Sequence, residues 1–226
     1  MHAIARAVAV LKPGARSILN RFSTSCRWTT LTRVISVREE AAADIPAVEE
    51  VRRASWRAAY AGLIEARHIE RATARPSRLS QPDPARHTLV AVTRENPVVV
   101  GYASFGPERS LLSVHAHPAH AGLASGGGGS PADAPLTDAG LAGETGEVYA
   151  LYVSPDWWST GTGRSLMAAA LTALSEAGYR RAVLWVLAGN ARARRFYDRA
   201  GFAADGAENV LIGLGGILEV RYARSL

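Results

Sequence analysis

The chain has 226 residues, 48% of them apolar, and a single cysteine, Cys26, so it can bury one sizeable core and form no disulfide within itself. Its formal charge of +6 sits entirely in residues 1–33, where Arg6, Lys12, Arg16, Arg21, Arg27 and Arg33 stand without an acid, while the other 20 basic residues balance 20 acids. The rest of the chain therefore has no basic stripe for a phosphate backbone and no apolar run of membrane-spanning length; the expectation is a cytoplasmic protein with neither nucleic acid nor membrane as partner.

Residues 1–33 read as a disordered basic extension, an over-long translation start or an organelle-type leader, ahead of one folded region over residues 34–226. The alternation Val34-Ile35-Ser36-Val37-Arg38 predicts a first strand. Asp44 then serves as N-cap of a helix with Pro46 in its first turn, running to about Gly62. Within it Trp56, Ala59, Tyr60 and Leu63 follow helical spacing and predict an inward aromatic stripe. A second helix is expected over residues 65–74, stopped by Pro76, Pro82 and Pro84. Residues 88–92 and 98–105 read as a hairpin turning at Glu95-Asn96-Pro97. Residues 106–146, rich in Gly, Ala, Ser, Pro and His, read as a flexible insert. Its His115, His117 and His120 have chelating spacing but no accompanying acid or cysteine, so no metal is expected.

Beyond the insert come a strand over residues 147–153, a glycine turn, and a helix to Gly178 with Met167, Ala170, Leu171 and Leu174 at helical spacing. A strand over residues 181–187 leads to a helix from Asn190 to about Ala200, with Gly201 after its end, and then to a final β region. Helices falling between runs of strands indicate an α/β (α+β) sheet protein.

The stretch Tyr149 to Gly163 runs from an apolar strand through a turn into two spaced glycines that open a helix. That arrangement aims unpaired N–H groups and the positive end of a helix dipole at one anion. A dinucleotide fingerprint would need a third glycine where Leu166 stands. A P-loop would need four residues between its glycines and then Lys, whereas Gly161 and Gly163 are one apart and Arg164 follows. Trp158-Ser159-Thr160-Gly161-Thr162-Gly163 instead resembles the Gln/Arg-x-x-Gly-x-Gly/Ala signature of the GNAT N-acetyltransferase family, departing from it at Trp158. The segment from Gly189-Asn190-Ala191 through Phe196-Tyr197 to Gly201-Phe202 resembles that family's second signature, and Ser55-Trp56-Arg57-Ala58-Ala59-Tyr60 is similar to a helix of many bacterial members.

The resemblance, covering roughly Val34 to the C-terminus, implies a mixed, mostly antiparallel central sheet flanked by helices, with splayed fourth and fifth strands. It implies an N-acetyltransferase that moves an acetyl group from acetyl-CoA, its co-substrate, to a primary amine of a small molecule or peptide by direct attack in a ternary complex. An acyl-CoA-binding sensor with little catalysis is the alternative. In this reading Leu151 and Val153 offer strand amides to the pantetheine arm and the thioester oxygen, and the amides of Ser159, Thr160, Gly161, Thr162, Gly163 and Arg164 hold the pyrophosphate. Hydroxyls of Thr160, Thr162 or Ser165 are candidates to make up for the missing side chain at Trp158. Asn190 is a cofactor contact, a helix cap, or both.

Tyr197 is the candidate proton donor to the leaving thiolate, though Ala193, Phe196, Tyr197 and Ala200 also form a core-type stripe. Glu147 is the candidate base, with a solvated strand-end carboxylate as its alternative. Tyr149, two positions on and so on the same strand face, joins Trp56 and Tyr60 in an acceptor pocket suited to an amine on an apolar or ring-bearing body. Arg192, Arg194 and Arg195 read as a solvated face from which one could reach the coenzyme A 3′-phosphate. A homodimer is compatible with all of this.

Overall fold

A computed structural model describes residues 34–77, 83–109 and 144–226 of the chain. Strands β1 (Ile35–Glu39), β2 (His87–Thr93), β3 (Val99–Pro107), β4 (Thr145–Val153), β5 (Arg181–Leu187), β6 (Ala203–Leu211) and β7 (Ile217–Ser225) form one sheet in the order β1-β2-β3-β4-β5-β7-β6. Every pairing is antiparallel except β4 with β5. Helices α1 (Ile45–Ala59) and α2 (Ala66–Ala74) precede β2, α3 (Thr162–Glu176) joins β4 to β5, and α4 (Ala191–Arg199) joins β5 to β6. The mixed sheet with flanking helices is the architecture expected from the sequence.

The two faces of the sheet are covered by different helices. Leu166, Met167, Ala170, Leu171 and Leu174 of α3 pack on Ala91, Ala103, Phe105, Val148, Ala182 and Leu184 in the main core, as their spacing predicted. Val48 and Val51 of α1 cover Val90, Val92, Tyr102 and Ala150 on the other face. Burying such side chains stabilises the fold by about 1.5–3 kcal/mol each.

The buried residues of α1 are Val48, Glu49, Val51, Arg52 and Ser55, one step round from the predicted aromatic stripe. Trp56 and Tyr60 flank it, and Leu63 is exposed while Ile64 is buried. The helix stops at Ala59 rather than Gly62, because the N–H groups of Leu63 and Ile64 both donate to the Tyr60 carbonyl and turn the chain. Asp44 does not cap α1 through its side chain; its carboxylate accepts from Arg38 at 2.6 and 2.9 Å and from the Ala41 N–H at 2.8 Å.

The ends of the proposed insert belong to the sheet. Gly106 and Pro107 lie in β3, and Thr145 and Gly146 in β4. These glycines answer to close packing rather than to flexibility: a Cβ on Gly146 would stand 2.5 Å from Leu174 Cδ2, and one on Gly106 would overlap the Ala85 carbonyl and the Tyr149 hydroxyl. Residues 110–143 of that segment, with His115, His117 and His120, and the extension over residues 1–33 lie outside the described residues.

Two irregularities position the site. The β3–β4 register shifts between Ser104, opposite Ala150, and Phe105, opposite Val148, which leaves Tyr149 as the extra residue of a bulge. Alternation is thereby reversed along β4, so Glu147 lies on the α1 face with Ala150 and Tyr152, while Val148, Leu151 and Val153 face α3. The β4–β5 pairing runs only from Thr145↔Arg181 to Glu147↔Val183. Past Glu147 the two strands part.

Candidate active site

The parting of β4 and β5 opens a cleft of about 880 Å³. Ser154 donates its N–H to the Val100 carbonyl, which by antiparallel alternation turns the backbone groups of Leu151 and Val153 away from β3 and into the gap. Both residues line the cleft. The Val153 carbonyl is already used: it accepts from Ser55 Oγ at 2.9 Å and from the Trp158 indole at 2.7 Å.

The turn that follows is built to leave helix N–H groups bare. Pro155–Trp157 forms one 3₁₀ turn, Ser159 takes φ 63°, and Gly161 takes φ 94° as N-cap of α3 with no side chain bonded back to the helix. A glycine fits that left-handed position without the cost of roughly 1–2 kcal/mol that a Cβ would add. The first N–H groups of α3 consequently point outward at the positive end of the helix. Ser159, Gly161, Gly163 and Arg164 line the cleft; Thr160, Thr162 and Ser165 do not. The Thr160 hydroxyl donates to the Trp157 carbonyl and bonds the Thr162 hydroxyl at 2.9 Å, so these side chains shape the turn.

Trp158 has a different partner from the one its family position suggests. Its indole anchors the turn to Val153, and the Arg192 guanidinium stacks on its ring, with Cζ 3.7 Å from the ring centroid. The ring seats a cation in the cleft wall. Arg194 is committed elsewhere, to the Tyr222 hydroxyl and the Ala188 carbonyl. Asn190 caps α4 by accepting the Ala193 N–H at 3.0 Å and also lines the cleft.

Tyr197 projects from α4 into the same cleft, with Phe196, Phe202 and Tyr222 around its ring. Its hydroxyl has no hydrogen-bond partner among the described residues, and burial pushes its acidity well below that of an ordinary tyrosine. It therefore stays protonated through the neutral range.

A second cavity of about 200 Å³ adjoins the first. Trp56, Tyr60 and Tyr149 all line it, together with Glu147 and Arg109. Trp56 donates its indole N–H to the Tyr152 hydroxyl at 3.0 Å and meets Tyr60 edge-on at 5.0 Å between ring centroids. Glu147 is not a solvated strand-end carboxylate. It is buried, and Arg109 clamps it through Nη2 on Oε1 at 2.5 Å and through its backbone N–H and Nε on Oε2 at 2.9 and 3.3 Å. Tyr60, Tyr152, Trp185, Leu187 and Glu219 line both cavities, so the two adjoin across these side chains.

Residues 48–202 match the family model described as the acetyltransferase (GNAT) family. The chain belongs to that family. As a GNAT protein it is an acyltransferase. Solved structures share its fold: PaiA N-acetyltransferase from Thermoplasma acidophilum, in complex with coenzyme A, is 18% identical with a TM-score of 0.58, covering 83% of this chain and 98% of its own. A ribosomal-protein-alanine N-acetyltransferase from Brucella melitensis is 20% identical with a TM-score of 0.53, covering 84% and 99%. YncA, a putative acetyltransferase from Salmonella typhimurium with its cofactor acetyl-CoA, is 20% identical with a TM-score of 0.52, covering 85% and 94%. Among curated proteins none matches the sequence.

In this GNAT domain sequence reasoning overlooked Tyr152, Trp185, Glu219 and Arg109; Arg192 is exposed as expected and also stands over Trp158 in the cleft wall. Glu219 carried a usable signal. It is an acid between Leu218 and Val220 in a strand that proves to be flanked on both sides, by β5 through Leu187 and by β6 through Asn209. An acid on such an interior strand is rare without a partner. The strand order that makes it interior is a long-range property that periodicity does not carry.

Proposed function

We propose that the protein transfers an acetyl group from acetyl-CoA to a primary amine of a small molecule or peptide by direct attack in a ternary complex. The observation that carries this reading is the adjacency of the two cavities, which share five lining residues and so set a thioester in the β4–β5 gap beside an amine in the aromatic cavity. The residues present suit the co-substrate: bare amides at the start of α3 for the pyrophosphate, Arg164 and Arg192 as nearby cations, and the Leu151 and Val153 backbone for the pantetheine arm.

The chemistry then divides among a few groups. The neutral amine attacks the acetyl carbonyl, a carbon–nitrogen bond forms, and the carbon–sulfur bond breaks. The β4 amides facing the gap stabilise the charge gained by the carbonyl oxygen. Tyr197, with an unengaged hydroxyl in the cleft, supplies a proton to the departing thiolate, a contribution worth at most about 10²–10⁴-fold. Trp56, Tyr60 and Tyr149 form the acceptor's apolar surround. Residues 34–226 carry the activity, which removal of residues 1–33 leaves intact.

The test is free-thiol release from acetyl-CoA in the presence of a panel of primary amines. Amine-dependent release is expected. Acetyl-CoA binding without any amine-dependent release would replace this reading with that of an acyl-CoA-binding sensor.

A further inference from the structure

The attacking amine must lose a proton, and the two acids beside the acceptor cavity, Glu147 buried and Glu219 half-buried, differ in their freedom to take it. Glu147 has both oxygens engaged by Arg109. Taking a proton would break that ion pair and leave a guanidinium without its counter-ion, so Glu147 with Arg109 behaves as a neutral, structural unit. Glu219 is arranged otherwise. Its one hydrogen-bond donor among the described residues is Asn209 Nδ2, at 3.3 Å from Oε2. It lies opposite Leu187, the last residue of β5, and lines both the coenzyme cleft and the acceptor cavity.

From this geometry, and resting on the acetyl-transfer reading above, we infer that Glu219 receives the acceptor's ammonium group and takes its proton. The acceptor is accordingly an alkyl-type primary amine, cationic in solution, on an apolar or ring-bearing body. One proton passes from the ammonium nitrogen to a Glu219 carboxylate oxygen, the nitrogen lone pair so freed forms the bond to the acetyl carbon as the carbon–sulfur bond breaks, and the second proton lost by the nitrogen replaces the one that Tyr197 gives to the departing thiolate. The groups facing Glu219 agree with this role. Asn209 on β6 holds one oxygen, and Tyr60 after α1 and Tyr152 on β4 present aromatic rings and hydroxyls. Glu147 on β4 and Arg109 after β3 largely cancel each other, which leaves the cavity with the net negative charge of Glu219. Burial raises the Glu219 carboxyl above its ordinary range, with Glu147 adding to the shift and Asn209 and Arg109 opposing it, which moves it toward the working pH of a base.

The experiment compares two acceptors of similar shape, 2-phenylethylamine, an ammonium ion at neutral pH, and 4-ethylaniline, which is neutral there. For Glu219→Gln, kcat/KM with 2-phenylethylamine should fall roughly 10²–10⁴-fold. With 4-ethylaniline the loss should be less than about tenfold, with acetyl-CoA affinity unchanged and the acidic limb of the pH–rate profile gone. Glu147→Gln, a structural change, should depress both acceptors alike. Equal losses on the two amines in Glu219→Gln, or no loss, overturns the inference while leaving acetyl transfer standing. Absence of thiol release by the wild-type protein with every amine fails the acetyl-transfer reading instead. Calorimetry then decides on Glu219: Glu219→Gln must weaken 2-phenylethylamine binding to the coenzyme A-loaded protein about tenfold, and equal binding overturns the inference.

Discussion

The guanidinium of Arg192 sits over the indole of Trp158, its Cζ 3.7 Å from the ring centroid, in the wall of the cleft between β4 and β5. The family's usual Gln or Arg at this position is thus replaced by a pair: an aromatic platform on the turn and a cation supplied from α4. Cation–π stacking of this kind contributes about 0.5–2 kcal/mol and holds the charge in place before a ligand arrives. Arg192→Ala is therefore expected to weaken acetyl-CoA binding roughly 10- to 150-fold by calorimetry, the equivalent of the 1.5–3 kcal/mol typical of a charge-assisted hydrogen bond. Arg195→Ala, on the exposed side of α4, should leave it unchanged. Unaltered affinity in Arg192→Ala would show that the stacked cation faces no phosphate.

Gly163 separates binding from folding. A Cβ there would meet only Phe196 and Val153 side chains at 3.5–3.7 Å, ordinary contact distances, and its φ is not left-handed. Packing does not demand a glycine at this point; under the proposed function, close approach of acetyl-CoA to the α3 amides does. Gly163→Ala should keep or slightly raise the melting temperature, since alanine is favoured in helices by about 1 kcal/mol, while acetyl-CoA binding falls at least roughly tenfold. Gly161→Ala should instead lose about 1–2 kcal/mol of stability through its positive φ. Chemical denaturation and calorimetry on the same samples distinguish the two effects.

Gly146 makes the opposite point. Because its missing Cβ is occupied by Leu174 at 2.5 Å, Gly146→Ala should destabilise the domain by about 1–3 kcal/mol in urea denaturation. A neutral result would mean that the residue behaves as the loop its composition suggested.

That residue also marks where sequence stopped being informative. The helices and strands flanking the cradle follow from local periodicity and glycine placement, so α3, β5 and α4 lie within a residue or two of expectation. Trp56, Tyr60, Tyr149, Leu151, Val153, Asn190 and Tyr197 do line two adjoining cavities. What local pattern could not carry was the bulge at Tyr149, which moves Glu147 onto the face of Tyr152, and the ion pair that engages Glu147 with Arg109. Both are long-range relationships: β3 and β4 are far apart in sequence, and a glutamate looks the same whether solvated or clamped. The partner of Trp158 was hidden for the same reason.

Tyr197→Phe removes one hydroxyl that has no protein partner among the described residues and keeps the ring contacts with Phe196, Phe202 and Tyr222. Its melting temperature should match the wild type within a degree or two, whereas kcat should fall by about tenfold or more with KM for acetyl-CoA unchanged. Unchanged turnover from neutral to alkaline pH would reduce Tyr197 to a packing residue.

Glu219 gives a prediction in which activity and stability move in opposite directions. Its carboxyl is raised above the usual 4.5, chiefly by burial. A carboxyl raised in the folded state binds its proton more tightly there than in the unfolded chain, so stability is greatest below the unfolded value and declines as pH rises through the folded one. At neutral pH the ionised, half-buried carboxylate thus costs stability, and the amide of Glu219→Gln, which can still accept from Asn209, does not carry that cost. Glu219→Gln should melt at a higher temperature than the wild type at neutral pH, with the difference shrinking to nothing near about pH 4, where both side chains are neutral. Calorimetric scans across that range check it. A variant that melts lower at neutral pH would mean that the carboxylate is held by favourable contacts, as a structural residue is, rather than kept charged and under-solvated at the meeting point of the two cavities.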